Sequence, residues 1–295
     1  MTFPFFRTRG AAEPEPEDAL GLPSSRPKQR YRSIWISDVH LGIPEAKADI
    51  LYDFLKHTES EFLYLVGDIV DGWRLARSWY WPQIYNNLVR TILGKAKNGA
   101  SVIFIPGNHD EVFRQYVGMD FGFIAVRREA FHLTADGRRL LVLHGDEFDG
   151  IIMHHRWVSQ LGSVAYDYAL KLNRWLNILR DMLGFPYWSL SMYLKRRVKN
   201  AVKYMNRFEE AVMHEAQRRK VDGLVCGHIH HAALTKFGDV TYCNDGDWVE
   251  SCTALVEHYD GRLELLNWND VIKARNQEEQ ANAVDHRVGR LATAG

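Results

Sequence analysis

Five short motifs place side chains able to bind metal directly behind apolar runs: Asp38-x-His40, Gly67-Asp68, Gly107-Asn108-His109-Asp110, His144-Gly145 and Gly227-His228-x-His230. Each alone recurs by chance in many chains, and a single buried histidine is ordinarily a satisfied packing residue. In this order, each behind a strand-like run, they point to one shared site. The chemistry that fits is a pair of divalent cations roughly 3.5–4 Å apart, which needs a bridging anion and about six or seven hard or borderline donors. Asp38, His40, Asp68, Asn108, His144, His228 and His230 supply them. A carboxylate such as Asp68 can bridge, with one oxygen for each metal. Imidazole suits Mn, Fe, Zn, Co or Ni, and a set without cysteine argues against a structural zinc knot. His57, His154 and His155 fall outside the motifs and read as surface or packing residues. Asp71 reads as hydrogen-bonding support for the loop after Asp68.

Convergence of residues so far apart requires elements that all end at one rim. The apolar run Ile34–Ile36 predicts a buried strand, as do 62–66, 101–105 and 223–226. Residues 46–57 and 82–97 carry apolar positions at helical spacing, the second helix ending at Asn98-Gly99. Asp136-Gly137 predicts a hairpin between strands 130–133 and 138–143, and further short strands are expected near Thr235, at 240–243 and at 253–258. Strands alternating with helices predict an α/β layered fold, in which ligands sit beyond the carboxyl ends of the strands. From Gly150 the texture changes. Trp157, Leu161, Val164, Tyr168, Leu172, Trp175, Leu179 and Met182 mark one face of a long helix, Gly184-Phe185-Pro186 breaks it, and a piece from Trp188 to Lys203 carries Lys195, Arg196, Arg197, Lys199 and Lys203. The expected organisation is a Pro/Glu-rich disordered tail over 1–30, one domain over 31–272 with a helical cap inserted at about 150–205, and a polar tail over 273–295.

Bulk properties bound the partners. Lys+Arg and Asp+Glu both number 37, so the net charge is zero and no nucleic-acid partner is expected. Cys226, Cys243 and Cys252 lack Cys-x-x-Cys spacing and read as fillers of buried strands in a reducing compartment. No apolar stretch is long enough to span a bilayer, and residues 1–30 lack the apolar core of a signal peptide. The expected location is the cytoplasm.

Taken together, the five blocks between Asp38 and His230 resemble those of the calcineurin-like metallophosphoesterase superfamily. The resemblance implies a four-layer αββα sandwich, with Asp38, His40 and His230 on a first metal, Asn108, His144 and His228 on a second, and Asp68 between them. It implies attack by a metal-activated water with no protein nucleophile. His109 would stabilise or protonate the leaving oxygen, oriented by a nearby carboxylate, Asp38 or Asp110, of which Asp110 is taken as the partner. Serine/threonine protein phosphatases of this type carry Gly-Asp-x-Val-Asp-Arg-Gly and Gly-Asn-His-Glu, from which Gly67–Trp73 and Gly107–Asp110 both depart. Ser37-Asp38-Val39-His40-Leu41-Gly42, the Gly-Asp-x-x-Asp-x-Trp stretch, His144-Gly145-Asp146 and the helical insertion look more like the UDP-2,3-diacylglucosamine hydrolase branch, over roughly Arg32 to Trp268. That likeness implies pyrophosphate cleavage in lipid A synthesis at the inner membrane face, with Mn²⁺, giving UMP and a lipid sugar phosphate. The expected partners are thus a phosphorylated glycolipid or nucleotide substrate and the inner membrane surface, contacted peripherally. Characterised members of the branch carry Arg where this chain has His109, so a phosphodiesterase or phosphomonoesterase acting on another lipid head group or a nucleotide is the second reading. A non-catalytic metal-bound scaffold is a third, and it fits poorly with a ligand set from which nothing is missing. The cap's apolar face either covers acyl chains or packs on the body. Lys195, Arg196, Arg197 and Lys199 either meet phosphates or form a solvated face.

Overall fold

The computed structural model describes residues 28–149 and 207–278. The expected cap, with Lys195, Arg196, Arg197 and Lys199, lies outside them, as do residues 1–27 and 279–295. The described chain runs β1 (Gln29–Ile36), α1 (Ala48–His57), β2 (Thr58–Val66), α2 (Gly72–Leu75), α3 (Gln83–Lys97), β3 (Ser101–Ile105), a 3₁₀ turn (Glu111–Tyr116), β4 (Asp120–Phe121), β5 (Ile124–Val126), β6 (Ala130–Leu133) and β7 (Arg139–Val142). After a second 3₁₀ turn (Asp146–Phe148) come β8 (Gly223–Cys226), β9 (Ala233–Phe237), β10 (Val240–Asn244), β11 (Thr253–Glu257) and β12 (Leu263–Asn267). Residues 207–219 and 268–278 are helical.

The strands form two mixed sheets, ordered β12-β11-β1-β2-β3-β5-β4 and β6-β7-β8-β10-β9. Strand periodicity explains how they stack. Side chains alternate between faces, so Trp35 points one way along β1 and Ile34 and Ile36 the other. Trp35 joins Tyr64, Val66, Ile105, Leu140, Val142, Val225, Cys243 and Leu255 in a core drawn from both sheets. Ile34 and Ile36 lie instead with Leu51, Phe54 and Leu55 of α1, Leu88 and Ile92 of α3, and Trp268. On the far side, Phe208, Val212 and Ala216 of the helix over 207–219 cover Leu141 and Leu224. Helices, sheet, sheet and helix make the four layers of a metallophosphoesterase sandwich.

Two details depart from expectation. Strand β1 begins at Gln29 rather than near Ile34, because Gln29 and Arg30 pair with Thr58 and Glu59 of β2 and Lys28 and Arg30 both reach the Glu59 carboxylate. Strands β4, β5 and β12 were not foreseen; at two and three residues, β4 and β5 are too short for alternation to register. The polar segment beyond Ala274 reads in the sequence as a loosely attached helix, and it is helical to 278. There Arg275 bonds Asp53 and covers the Trp268 ring, whose Nε1 also donates to Asp53 at 2.7 Å. No helix among the described residues is long and apolar enough to cross a membrane.

Candidate metal centre

Strands β1, β2 and β3 are parallel neighbours in one sheet, and β7 and β8 are parallel neighbours in the other. Their carboxyl ends therefore open on the same rim, and the loops there are bonded to one another. The Asp38 N–H donates to the carbonyl of Gly67, that of His40 to Asp68, and that of Gly227 to His144. Three donor groups result among the described residues: Asp38 with His40 and His230, Asp68 with His144 and His228, and His40 again with Asp71 and His109. His230 Nε2 lies 3.1 Å from Asp38 Oδ1 and His40 Nε2 lies 3.4 Å from His230 Nε2.

The Asp68 carboxylate differs from the sequence-based expectation. Its Oδ1 accepts the His109 backbone N–H at 2.8 Å. Its Oδ2 stands 3.4 Å from His144 Nε2 and 3.9 Å from His40 Nε2. One oxygen, not two, faces both histidines, because the loop after β3 occupies the other.

His144 and Asp38 are each aimed by bonds on the side opposite the cluster. His144 Nδ1 is 2.8 Å from the carbonyl of Val66, which fixes the N–H there and turns Nε2 toward Asp68 Oδ2. Asp38 Oδ2 accepts from Ser37 Oγ and from the His228 N–H, at 2.6 and 2.8 Å. The backbone is bent to the same end. Seven described residues other than glycine have left-handed φ, and five of them are Asp38, His40, Asp68, His228 and His230. Such a conformation costs an L-residue about 1–2 kcal/mol. Its concentration at one rim is the mark of a backbone held for a purpose other than stability.

Burial opposes charge at Asp38, Asp68, His144 and His230, yet their mutual attraction outweighs it. His230, with His144 and His40, holds the Asp38 carboxyl below the usual range. The Asp68 charge lifts His144 well above its ordinary value, and Asp38 lifts His230 to about 9. The rim is thus a field that stabilises positive charge.

His109 lies beside this cluster, its ring 4.6 Å from that of His40 and 4.3 Å from that of Trp73. Its carboxylate partner is Asp71, with Oδ2 3.1 Å from His109 Nδ1 and 3.3 Å from His40 Nδ1. The other Asp71 oxygen caps α2 by accepting the Arg74 N–H. Asp110, expected to orient His109, faces elsewhere. It is fully buried and accepts the backbone N–H groups of Ile69 and Gly107 at 2.8 and 2.6 Å, and burial with the nearby Asp68 charge pushes its carboxyl up to about 6. It clamps the loop after β3 to the loop after β2. Asp71 was visible in the sequence three residues behind Asp68, where loop support was its only assigned role.

Three buried atoms test whether the donors suit cations. Asn108 Oδ1 has no hydrogen-bond partner, while Asp38 Oδ1 and His144 Nε2 face other members of the cluster, His230 Nε2 at 3.1 Å and Asp68 Oδ2 at 3.4 Å. Burying a polar atom unpaired is costly. The three atoms come from separate strand ends, and divalent cations would satisfy them together.

A sequence model for the family described as calcineurin-like phosphoesterase matches residues 31–232. No curated protein matches the chain. Among solved structures, a Vps29 single mutant from Entamoeba histolytica is 11% identical over 80% of this chain and 98% of its own, with TM-score 0.37. YfcE, a phosphoesterase from E. coli, is 14% identical over 80% and 98%, with TM-score 0.36. An archaeal phosphodiesterase is 13% identical over 79% and 98%, also at 0.36. Likenesses at these scores carry no further argument.

Proposed function

Since the chain belongs to the calcineurin-like phosphoesterase family and is a metal-dependent phosphoester hydrolase, we propose that it cleaves the pyrophosphate of a UDP-2,3-diacylglucosamine-type glycolipid nucleotide to UMP and a lipid sugar 1-phosphate. The observation that carries the chemistry is the meeting at one rim of the donor clusters Asp38–His40–His230 and Asp68–His144–His228, with Asn108 Oδ1 buried and unpaired at the end of β3. Asp38, His40 and His230 would hold one divalent cation and Asn108, His144 and His228 the other, with Asp68 Oδ2 shared. Bound there, such cations neutralise phosphoryl oxygens and make water a nucleophile at neutral pH; Mn²⁺ is the proposed resident. Support for the substrate is the motif set Ser37–Gly42, Gly67–Trp73 and His144–Asp146. A membrane-facing cap with Lys195, Arg196, Arg197 and Lys199 on the phosphates belongs to the same proposal, as does peripheral attachment of a cytoplasmic protein.

The remaining steps fall to the chain itself. Asp71 holds His109 Nδ1, so Nε2 is the ring atom left to carry a proton to the leaving oxygen. Burial lowers the affinity of His109 for that proton, but the contact with Asp71 more than restores it, and its pKa lies above the ordinary value. Trp73 and His40 pack against the ring and fix its plane.

The test is UMP release from UDP-2,3-diacylglucosamine by Mn²⁺-loaded protein, with Asp68→Asn as the blank. Release that disappears in the variant is expected. No release, with a generic diester still hydrolysed, would reject this substrate.

The Asp71–His109 pair favours a second reading, a phosphodiesterase or phosphomonoesterase on another lipid head group or nucleotide. A phosphate departs from a pyrophosphate as a stable anion, whereas an alkoxide needs a proton as it leaves. If His109 is the acid, His109→Ala lowers turnover of an alkyl phosphodiester about a hundredfold. Turnover of bis-p-nitrophenyl phosphate, with its good leaving group, falls far less, and metal content is unchanged. Equal losses on both substrates would remove the acid role.

A further inference from the structure

The turn after His144 carries two carboxylates that go to different places. Gly145 has a φ of +116°, and a side chain there would meet the Phe208 ring at 3.0 Å and His228 Cβ at 3.4 Å. The chain thus folds tightly through the 3₁₀ turn at Asp146–Phe148. Asp146 leaves toward the loop after β3, where Arg114 Nη2 binds both its oxygens at 2.7–2.8 Å. Phe148 is buried with its ring edge-on to Phe208 at 5.5 Å. That contact returns the next residue to the rim, and Asp149 Oδ2 stands 3.0 Å from Nε2 of His228.

From this juxtaposition we infer that Asp149 is a positioning residue for the second donor group, fixing the ring and tautomer of His228 through its Nε2. The inference rests on the metal-centre reading above. Both side chains are nearly buried, with 7% of Asp149 and 11% of His228 exposed, so the ring nitrogen and the carboxylate have little water to exchange for each other. With the Nε2 proton committed to Asp149, Nδ1 is the nitrogen that retains a lone pair for a cation. Asp149 is absent from the three clusters of donors close enough to share one ion among the described residues, whereas His228 belongs to one. That places Asp149 behind the ligand rather than among the ligands. Six residues of sequence, 144–149, therefore supply a ligand, His144, and a support for a second ligand, His228, on the loop after the neighbouring strand β8.

The experiment compares wild type, Asp149→Ala and Asp149→Asn by two readouts that do not depend on turnover. One is competition between the protein and a fluorescent chelator for Mn²⁺, which resolves two affinities. The other is ring nitrogen NMR of the metal-free, histidine-labelled protein, which assigns the His228 tautomer. In Asp149→Ala, one of the two affinities is expected to fall about 10- to 100-fold and the His228 ring to lose its Nε2–H preference. Asp149→Asn keeps an acceptor oxygen and should restore both in a folded protein. An unchanged affinity and tautomer in Asp149→Ala would overturn the inference while leaving the metal centre intact. Failure of wild type to bind a second cation would overturn both together.

Discussion

Replacing Gly107 with alanine is expected to abolish metal binding and hydrolysis together. A Cβ on Gly107 would stand 2.3 Å from Asp68 Oδ1, 2.7 Å from His144 Nε2 and 2.8 Å from the Asp68 backbone nitrogen. None of the three can give way cheaply. Asp68 Oδ1 is held by the His109 N–H, His144 is fully buried and tied to Val66, and the third is main chain. Gly107 lies outside the left-handed region, so alanine brings no backbone strain of its own. Misplacing a reacting group by about 1 Å costs on the order of a hundredfold, and displacing two ligands on the order of ten-thousandfold. The measurements are bound metal per chain and turnover of bis-p-nitrophenyl phosphate. Gly94→Ala is the control, since its added methyl meets nothing within 4 Å and should slightly stabilise α3. A Gly107→Ala protein that retained two metals and ordinary turnover would contradict the packing of this rim.

Glu257→Ala is expected to cost about 3–5 kcal/mol of stability, the usual loss when one partner of a buried charge pair is removed. Glu257 is fully buried between the sheets. Its Oε1 accepts from Arg32 and from the Ala135 N–H at 2.9 and 2.7 Å, and its Oε2 from Ser33 Oγ at 2.7 Å, with His132 Nε2 at 2.8 Å. It thereby ties β11 and β1 of one sheet to β6 of the other. Burial opposes its charge, but the bonds to His132, Ser33 and Ala135 prevail and hold its carboxyl below the ordinary value. The unfolded chain therefore binds the proton first, and stability from this group is complete above about pH 4.3. That stability drains as pH falls through the lower, folded value. Urea unfolding of wild type and Glu257→Gln should show a gap at pH 7 that narrows in acid. A gap that widened in acid would reverse the sign assigned here. Ser33 is five residues of extended strand from Asp38, about 17 Å, so the folded variant should keep its metals.

Much of the site could be read from the chain because the donors are chemically distinctive and each follows an apolar run. Asp38, His40, Asp68, Asn108, His144, His228 and His230 were singled out this way; the structure brings six of them into clusters of donors close enough to share an ion and sets Asn108 on the loop after β3. The layered α/β fold followed from strand and helix alternating, with Leu51, Phe54 and Leu55 at helical spacing. Strands β4 and β5 left no such trace, since a short edge hairpin buries too little to impose a pattern.

Sequence alone determined which residue types face the core and which strands end in a ligand, because burial and backbone period are written into local order. Which carboxylate serves which histidine was decided only by tertiary structure. Asp110 is the neighbour of His109 along the chain, yet the loop after β2 crosses above it and draws its oxygens onto Ile69 and Gly107, while Asp71 arrives from another strand end. The same holds for the glycines, whose need is set by a side chain from elsewhere: His144 over Gly67, Asp68 over Gly107, Ser37 over Gly227. Hydrogen-bond partners are chosen by distance in space, and at this rim five separate loops meet within a few ångströms.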